Sequence, residues 1–166
     1  MPLFKRIVTP GALIVAIVLT SCGTGSSPQI DKSEDTAPTS MVLDESLPPR
    51  PDAPAQPDGD YRADSALYVG ATGKPQFIEF FAYWCTTCRA MKPTVHGLEA
   101  AYWGQVDFVY LDIDDPANDG IKEIYNYRAQ PTFVLVTPDG TEIQQWYGYT
   151  SEDELRRAFD NYLESQ

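Results

Sequence analysis

From residue 61 onward, apolar and polar positions follow the spacing of a domain built from alternating helices and strands. Short runs rich in aromatic and β-branched residues predict strands, and apolar residues at helical spacing predict helices. The predicted strands cover residues 76–82, 106–114, 132–137 and 141–148, and the predicted helices cover residues 63–71, 85–103, 120–127 and 151–163. This order predicts an α/β fold, with a mixed central sheet and helices on both faces.

Local signals mark where several of these elements begin and end. Gly104 is expected to stop the second helix. The tripeptide "PDG" at residues 138–140 predicts the turn of a β-hairpin. Ser151 is the predicted N-cap of the last helix, and Glu154, three residues later, completes the pattern of a capping box.

The first residues of the chain have the pattern of a secretion signal. Lys5 and Arg6 precede a mostly apolar run at residues 7–20, shorter than the about 20 apolar residues that a membrane-spanning helix needs. The run ends in "LTSC", which resembles the lipobox of bacterial lipoproteins, whose cysteine is lipidated and becomes the new N-terminus. We therefore expect residues 1–21 to be a signal peptide and Cys22 to carry a lipid anchor. An uncleaved anchor and a chance cysteine are the alternatives.

The composition changes between the signal and the predicted domain. Residues 22–60 are rich in Pro, Asp, Ala and Ser and contain few large apolar side chains. Such a segment cannot bury enough surface to offset the entropy that it would lose on ordering. We expect the lipidated Cys22 and a disordered tether over residues 22–60, and a single globular domain over residues 61–166.

The chain is strongly acidic, with 12 Lys and Arg against 24 Asp and Glu and a net charge of −12. Nucleic acids and anionic lipid surfaces would repel a protein of this charge. We therefore expect no nucleic-acid partner, and we expect a monomer.

The cysteine count leaves one pair for chemistry. Lipidation of Cys22 would leave Cys85 and Cys88, which are three positions apart. A zinc site needs four ligands, and the chain adds only one histidine, His96, which we expect on the exposed face of its helix. No metal site is therefore expected. A structural disulfide is possible outside the cytoplasm, but such a short loop restricts the unfolded chain very little.

A cysteine pair at the start of a helix suits redox chemistry. Free N–H groups and the positive end of the helix dipole favour the thiolate of Cys85, which is the form that attacks disulfides. Cys88, one turn further along, is expected to be more buried and within reach of the mixed disulfide. The spacing predicts Cys85 as the attacking thiol and Cys88 as the resolving thiol, with this redox-active pair in place of any cofactor.

The segment "EFFAYWCTTCRAMKP" resembles the active-site segment of thioredoxins. The resemblance continues through "DFVYLDID", "RAQPT" and "PDGTEIQQWYG", over residues 61–164, and implies the thioredoxin-like fold. It also implies that Trp84 shapes the surface around the nucleophile and that Pro93 kinks the helix. Glu79 would be a buried carboxyl below Cys88, with a raised pKa, and would take the Cys88 proton through a water.

The same resemblance implies a substrate-binding edge. Pro131 would be the cis-proline that faces the cysteine pair. Its conformation would expose the backbone of Gln130, which could then pair with an extended substrate strand. Gly148 would allow a partner to approach closely.

Several positions depart from the pattern of cytosolic thioredoxins. By alignment, Tyr110 stands where the family usually has a lysine opposite the buried acid, so we expect the pKa of Glu79 to rise further. Thr86 and Thr87 separate the cysteines, without the histidine that holds the thiolate in strong oxidases. Gln130 is polar where cytosolic thioredoxins have an apolar residue.

With the lipobox and the tether, these departures resemble membrane-anchored thioredoxin-like proteins on the extracytoplasmic face, in the periplasm or at the cell surface. That resemblance implies a reductase of disulfides in exported proteins, for example apocytochromes c. Its electrons would come from a membrane-embedded thiol carrier. Two alternatives stay open: a disulfide oxidase or isomerase, and a thioredoxin-fold binding module whose disulfide is structural.

Overall fold

A computed structural model describes residues 47–166. The predicted signal peptide, with Lys5 and Arg6, and the predicted lipidation site, Cys22, lie outside these residues. Within the described part of the chain, no helix is long and apolar enough to cross a membrane.

Four strands and three α-helices make up the domain. The strands are β1 (Gln76–Phe81), β2 (Asp107–Asp112), β3 (Thr132–Val136) and β4 (Glu142–Tyr147), and the helices are α1 (Thr86–Ala101), α2 (Asp119–Ile124) and α3 (Glu152–Glu164). Short 3-10 helices lie at Ala66–Tyr68, within the first predicted helix, and at Pro116–Asn118. The strand order is β2-β1-β3-β4, with β1 parallel to β2 and the other neighbouring pairs antiparallel. The predicted mixed sheet is confirmed.

The sheet is covered on both faces, because successive side chains of a strand point to opposite sides. Phe77 and Phe81 of β1 belong to a buried cluster with residues of α1 and α3. Ile78 and Phe80 belong to a second buried cluster, which includes Tyr125 after α2. All six residues of β1 are buried, which is the expected state of a central strand with helices on both faces.

Residues 47–60, which fall within the predicted tether, hydrogen-bond to the domain in the structure. We call these residues the N-terminal strap. The Ala55 amide donates to Glu99 Oε2 at 3.1 Å, and the Tyr68 hydroxyl donates to Pro48 O at 2.6 Å. The strap has few apolar side chains, as its composition shows, but it contacts the domain through backbone polar groups. Hydrogen bonds of this kind leave no trace in hydrophobic spacing.

His96 is also placed differently from the prediction, because its side chain is buried. Its Nδ1 lies 2.6 Å from Gln56 O of the strap, and its ring packs edge-on against Tyr61 and Tyr110. Burial lowers the pKa of His96. The helix face that looked exposed in the sequence is the face that the strap and residue 61 cover.

A buried ion pair joins the segment after the strap to α1. Arg62 Nη2 lies 2.8 Å from Glu99 Oε1, and the Glu99 side chain is only 1% exposed. Arg62 Nε also pairs with Asp64 at 3.0 Å, and the Tyr110 hydroxyl donates to Glu99 Oε2 at 2.7 Å. Residues from three segments thus satisfy one buried carboxylate.

Candidate active site

The two cysteines form a disulfide at the start of α1, and Cys85 is four positions after the last residue of β1. Cys85 is the N-cap residue of the helix, and its Sγ accepts a hydrogen bond from the Cys88 amide at 3.1 Å. Cys85 is 5% exposed, whereas Cys88 is fully buried. This difference in exposure fits an outer attacking thiol and an inner resolving thiol, which remain the predicted roles.

Glu79 is a fully buried carboxyl on the central strand β1. Burial raises its pKa from 4.5 to about 8, and a hydrogen bond from the Tyr61 hydroxyl acts in the opposite direction. Its Oε1 accepts from Tyr61 at 2.9 Å, whereas Oε2 has no hydrogen-bond partner among residues 47–166. Glu79 can therefore hold a proton near neutral pH, as a group that exchanges protons with a thiol must do.

Tyr61 is a site residue that sequence reasoning missed. Tyr110 lies beside Glu79 in the β1–β2 register, as the alignment implied, but its hydroxyl donates to Glu99. The donor to Glu79 is Tyr61, from the loop before β1, and the same hydroxyl lies 2.7 Å from the Cys88 carbonyl oxygen. No local pattern marks this tyrosine, because its partners are 18 and 27 positions away.

Pro131 and Gly148 lie together at the end of the sheet that carries the cysteines. The peptide bond between Gln130 and Pro131 is cis. Thr132 pairs with Phe80, so Pro131 comes level with the last residue of β1. The Gly148 amide donates to Pro131 O at 2.8 Å, and Gly148 has a φ of 70°, which favours glycine. The Gln130 side chain accepts a hydrogen bond from the Tyr127 hydroxyl at 2.6 Å.

Exposed aromatic side chains flank Cys85. Trp84 is 58% exposed, and its indole Nε1 donates to Asp114 Oδ2 at 2.6 Å. Tyr83 is exposed as well, and its carbonyl oxygen accepts from Arg89 Nη1 at 3.0 Å. Exposed aromatic rings therefore border the nearly buried Cys85, and aromatic side chains of this kind are common at protein–protein contacts.

A disulfide at a helix start, a buried carboxyl beneath it and a cis-proline at the same end of a mixed four-stranded sheet define a thioredoxin-type protein. The thioredoxin family model matches residues 65–161, which is more than half of the chain. The chain therefore belongs to the thioredoxin family.

Two curated proteins and one solved structure are among those to which the chain is similar. The chain is 38% identical over 78 residues to the thiol:disulfide interchange protein TxlA homolog of Synechocystis sp., which covers 46% of this chain and 42% of that protein. It is 30% identical over 106 residues to a thioredoxin of Staphylococcus aureus, covering 64% of this chain and 93% of the relative. Mitochondrial thioredoxin 3 from Saccharomyces cerevisiae, in its oxidized form, superposes with a TM-score of 0.48 and 30% identity, over 55% of this chain and 82% of that one.

The chain spans less than half the length of the TxlA homolog. Family membership and the Cys85–Cys88 disulfide support thiol–disulfide oxidoreductase activity.

Proposed function

We propose that this protein is a lipid-anchored, extracytoplasmic thiol–disulfide oxidoreductase that reduces disulfides in exported proteins, such as apocytochromes c. The observation that carries the proposal is the position of the Cys85–Cys88 disulfide, with Cys85 at a helix N-cap and the buried Glu79 on the strand before it. A carboxyl with a pKa of about 8 can give a proton to a thiolate or take one from a thiol near neutral pH. A disulfide that only stabilised the fold would need no such group.

The surroundings of Cys85 favour the reducing direction. A strong oxidant requires extensive stabilisation of its reduced, thiolate form. A helix N-terminus supplies about 0.3–1 kcal/mol, or up to about 2 kcal/mol when partly buried. Thr86 and Thr87 add no charge, and the charge of Arg89 is screened because that side chain is exposed. The thiolate is therefore stabilised only modestly, as in a reductant.

The location is proposed from the first 22 residues. A positively charged start, a short apolar run and the "LTSC" ending match a lipoprotein signal, so the mature chain would begin at a lipidated Cys22. A membrane-embedded thiol carrier would supply the electrons, since an anchored domain outside the cytoplasm has no access to cytoplasmic reductants.

The reduction potential of the Cys85–Cys88 pair tests the direction. Equilibration in glutathione or dithiothreitol buffers is expected to give a value nearer to about −270 mV, as in thioredoxin, than to about −120 mV, as in a strongly oxidising periplasmic protein. A Cys88→Ser variant, which cannot form the disulfide, is the control. A potential near the oxidising value would reject the reductase and favour the oxidase.

Membrane fractionation tests the anchor. Wild-type protein expressed in a bacterial host is expected in the membrane fraction and to incorporate labelled fatty acid. A Cys22→Ala variant should appear as an unprocessed precursor or as soluble protein, whereas a Cys85→Ala variant should fractionate like the wild type. Soluble wild-type protein that keeps its first 21 residues would exclude the anchor.

A further inference from the structure

Tyr61 reaches into the active site from the loop that follows the N-terminal strap. Its hydroxyl oxygen lies 2.9 Å from Glu79 Oε1 and 2.7 Å from the Cys88 carbonyl oxygen. The side chain is buried, and its ring stacks on Phe81 with the centroids 4.2 Å apart. Packing therefore holds a single hydroxyl against both the buried carboxyl and the backbone of the resolving cysteine.

This hydroxyl has one hydrogen and two acceptors. While Glu79 is neutral, its own carboxyl hydrogen can be donated to the Tyr61 oxygen, and the Tyr61 hydrogen can be donated to the Cys88 carbonyl. When Glu79 is ionised, the Tyr61 hydrogen can turn to the carboxylate, and a hydrogen bond to a charged acceptor is stronger than one to a neutral acceptor. Tyr61 therefore favours the ionised form of Glu79.

We propose that Tyr61 is a positioning residue for the resolving step, in which its hydroxyl stabilises the Glu79 carboxylate that accepts the Cys88 proton. This inference rests on the proposed oxidoreductase function. The step begins with a mixed disulfide between Cys85 and the substrate.

The resolving step replaces the disulfide between Cys85 and the substrate by the disulfide between Cys85 and Cys88. The Cys88 thiol gives its proton to Glu79, and the Cys88 sulfur attacks the Cys85 sulfur. The bond between Cys85 and the substrate sulfur breaks as the Cys85–Cys88 bond forms, and the departing substrate thiolate takes a proton from solvent. Over both steps, two electrons pass from the cysteine pair to the substrate disulfide.

The two residues that pair with Glu79 in the sheet do not take the place of Tyr61 as hydrogen-bond donors to its carboxyl. Tyr110 pairs with Glu79 on β2 but donates its hydroxyl hydrogen to Glu99. On the other side, Phe133 pairs with Glu79 on β3 and has no titratable group.

Two further titratable groups on α1, His96 and Lys92, lie against the Tyr61 ring. His96 packs edge-on against Tyr61 at 5.6 Å, and its Nδ1 contacts Gln56 O. Lys92 Nζ lies 5.9 Å from the centroid of the Tyr61 ring. Burial raises the pKa of Glu79, and the hydrogen bond from Tyr61 lowers it.

A two-phase thiol assay tests the proposal with the full-length reduced protein. Attack of Cys85 on the chromogenic disulfide dithiobis(nitrobenzoate) releases one coloured thiol, and attack of Cys88 releases the second. The rate of the second phase is followed against pH. Tyr61→Phe removes one hydrogen bond to a charged group, so the apparent pKa of this phase should rise by about one unit and its rate at neutral pH should fall about tenfold. The first phase should change little.

Tyr102→Phe is the matched control, because the Tyr102 hydroxyl also donates to a carboxylate, Asp160 Oδ1, at 2.5 Å, between the C-cap of α1 and helix α3. Its second-phase profile should match the wild type. In a Glu79→Gln background, Tyr61→Phe should cause no further pH shift. Second-phase profiles that superimpose for the wild type and Tyr61→Phe would overturn the inference.

A second variant covers the case in which Tyr61→Phe does not fold. Fluorotyrosine at position 61 keeps the ring and the hydroxyl but makes the hydroxyl a stronger donor, so the apparent pKa of the second phase should fall. A rise, or no change, would overturn the inference. If the reduced wild-type protein releases no thiol at all, the proposed oxidoreductase function fails instead, and the two failures are distinct.

Discussion

Glu79 is the residue at which folding and chemistry make opposite demands. Its carboxyl is fully buried, and burying an ionised carboxyl is costly unless hydrogen bonds compensate. One oxygen accepts from Tyr61, and the other has no partner in the described part of the chain. The folded protein therefore keeps the proton to a much higher pH than an exposed glutamate would, which suits proton exchange with Cys88 but costs stability in alkaline solution.

Replacement of Glu79 should change how stability depends on pH. The unfolded chain releases the Glu79 proton near pH 4.5, and the folded chain releases it near pH 8. Because the folded state binds more protons in this window, the free energy of unfolding falls as pH rises, by at most about 1.4 kcal/mol per pH unit from this group. Chemical denaturation at several pH values should show a flatter curve for Glu79→Gln. Exposed Glu164→Gln should follow the wild type, and parallel curves for all three proteins would refute the assignment.

At the scale of elements, helix starts in this protein have functions beyond capping. The sulfur of Cys85 caps α1 by accepting from the Cys88 amide, so the predicted nucleophile and the cap are the same atom. At α3, the Ser151 hydroxyl accepts from the Glu154 amide as predicted. The Glu154 side chain accepts instead from Trp146 Nε1, at 3.0 Å, which links β4 to the first turn of α3. Only half of the predicted capping box forms, because a buried indole needs a hydrogen-bond acceptor.

At the scale of the whole molecule, the strap and the residues after it connect the sheet, α1 and the active site. The strap bonds to His96 and Glu99 on α1, Arg62 pairs with Glu99, and Tyr61 contacts Glu79. The strap and the first residues of the domain therefore contact α1 together, and one of those residues, Tyr61, belongs to the candidate site.

Two arginines should differ sharply in their contribution to stability. Arg62→Ala would leave Glu99 buried without its cation, so we expect a loss of about 3 kcal/mol in the free energy of unfolding. Arg156→Ala is the matched control: its pair with Glu152 is 2.7 Å long but exposed, and both guanidinium groups lie over tyrosine rings. Loss of this exposed pair should cost about 0.5 kcal/mol or less. Denaturant titration measures both values, and equal losses would show that the buried pair has no special weight.

Features that depend on local spacing could be predicted from the sequence alone. Alternation and turn signals predicted the four strands and the three α-helices, whereas the helix predicted over residues 63–71 is only a short 3-10 helix at Ala66–Tyr68. The order of the elements predicted a mixed sheet. The spacing of Cys85 and Cys88 predicted a redox pair at a helix start. The family motif pointed to Glu79 and Pro131. These features were predictable because periodicity and short motifs report on neighbours within the same element.

Which segments cover which faces became evident only in the folded protein. Folding buries His96 beneath the strap, and it places the Tyr61 hydroxyl on Glu79, 18 positions away. Helical periodicity tells which side of α1 a residue occupies but not whether a distant loop covers that side. Backbone carbonyls and single hydroxyls also leave no pattern in a sequence, because their partners are chosen by the packing of the folded chain.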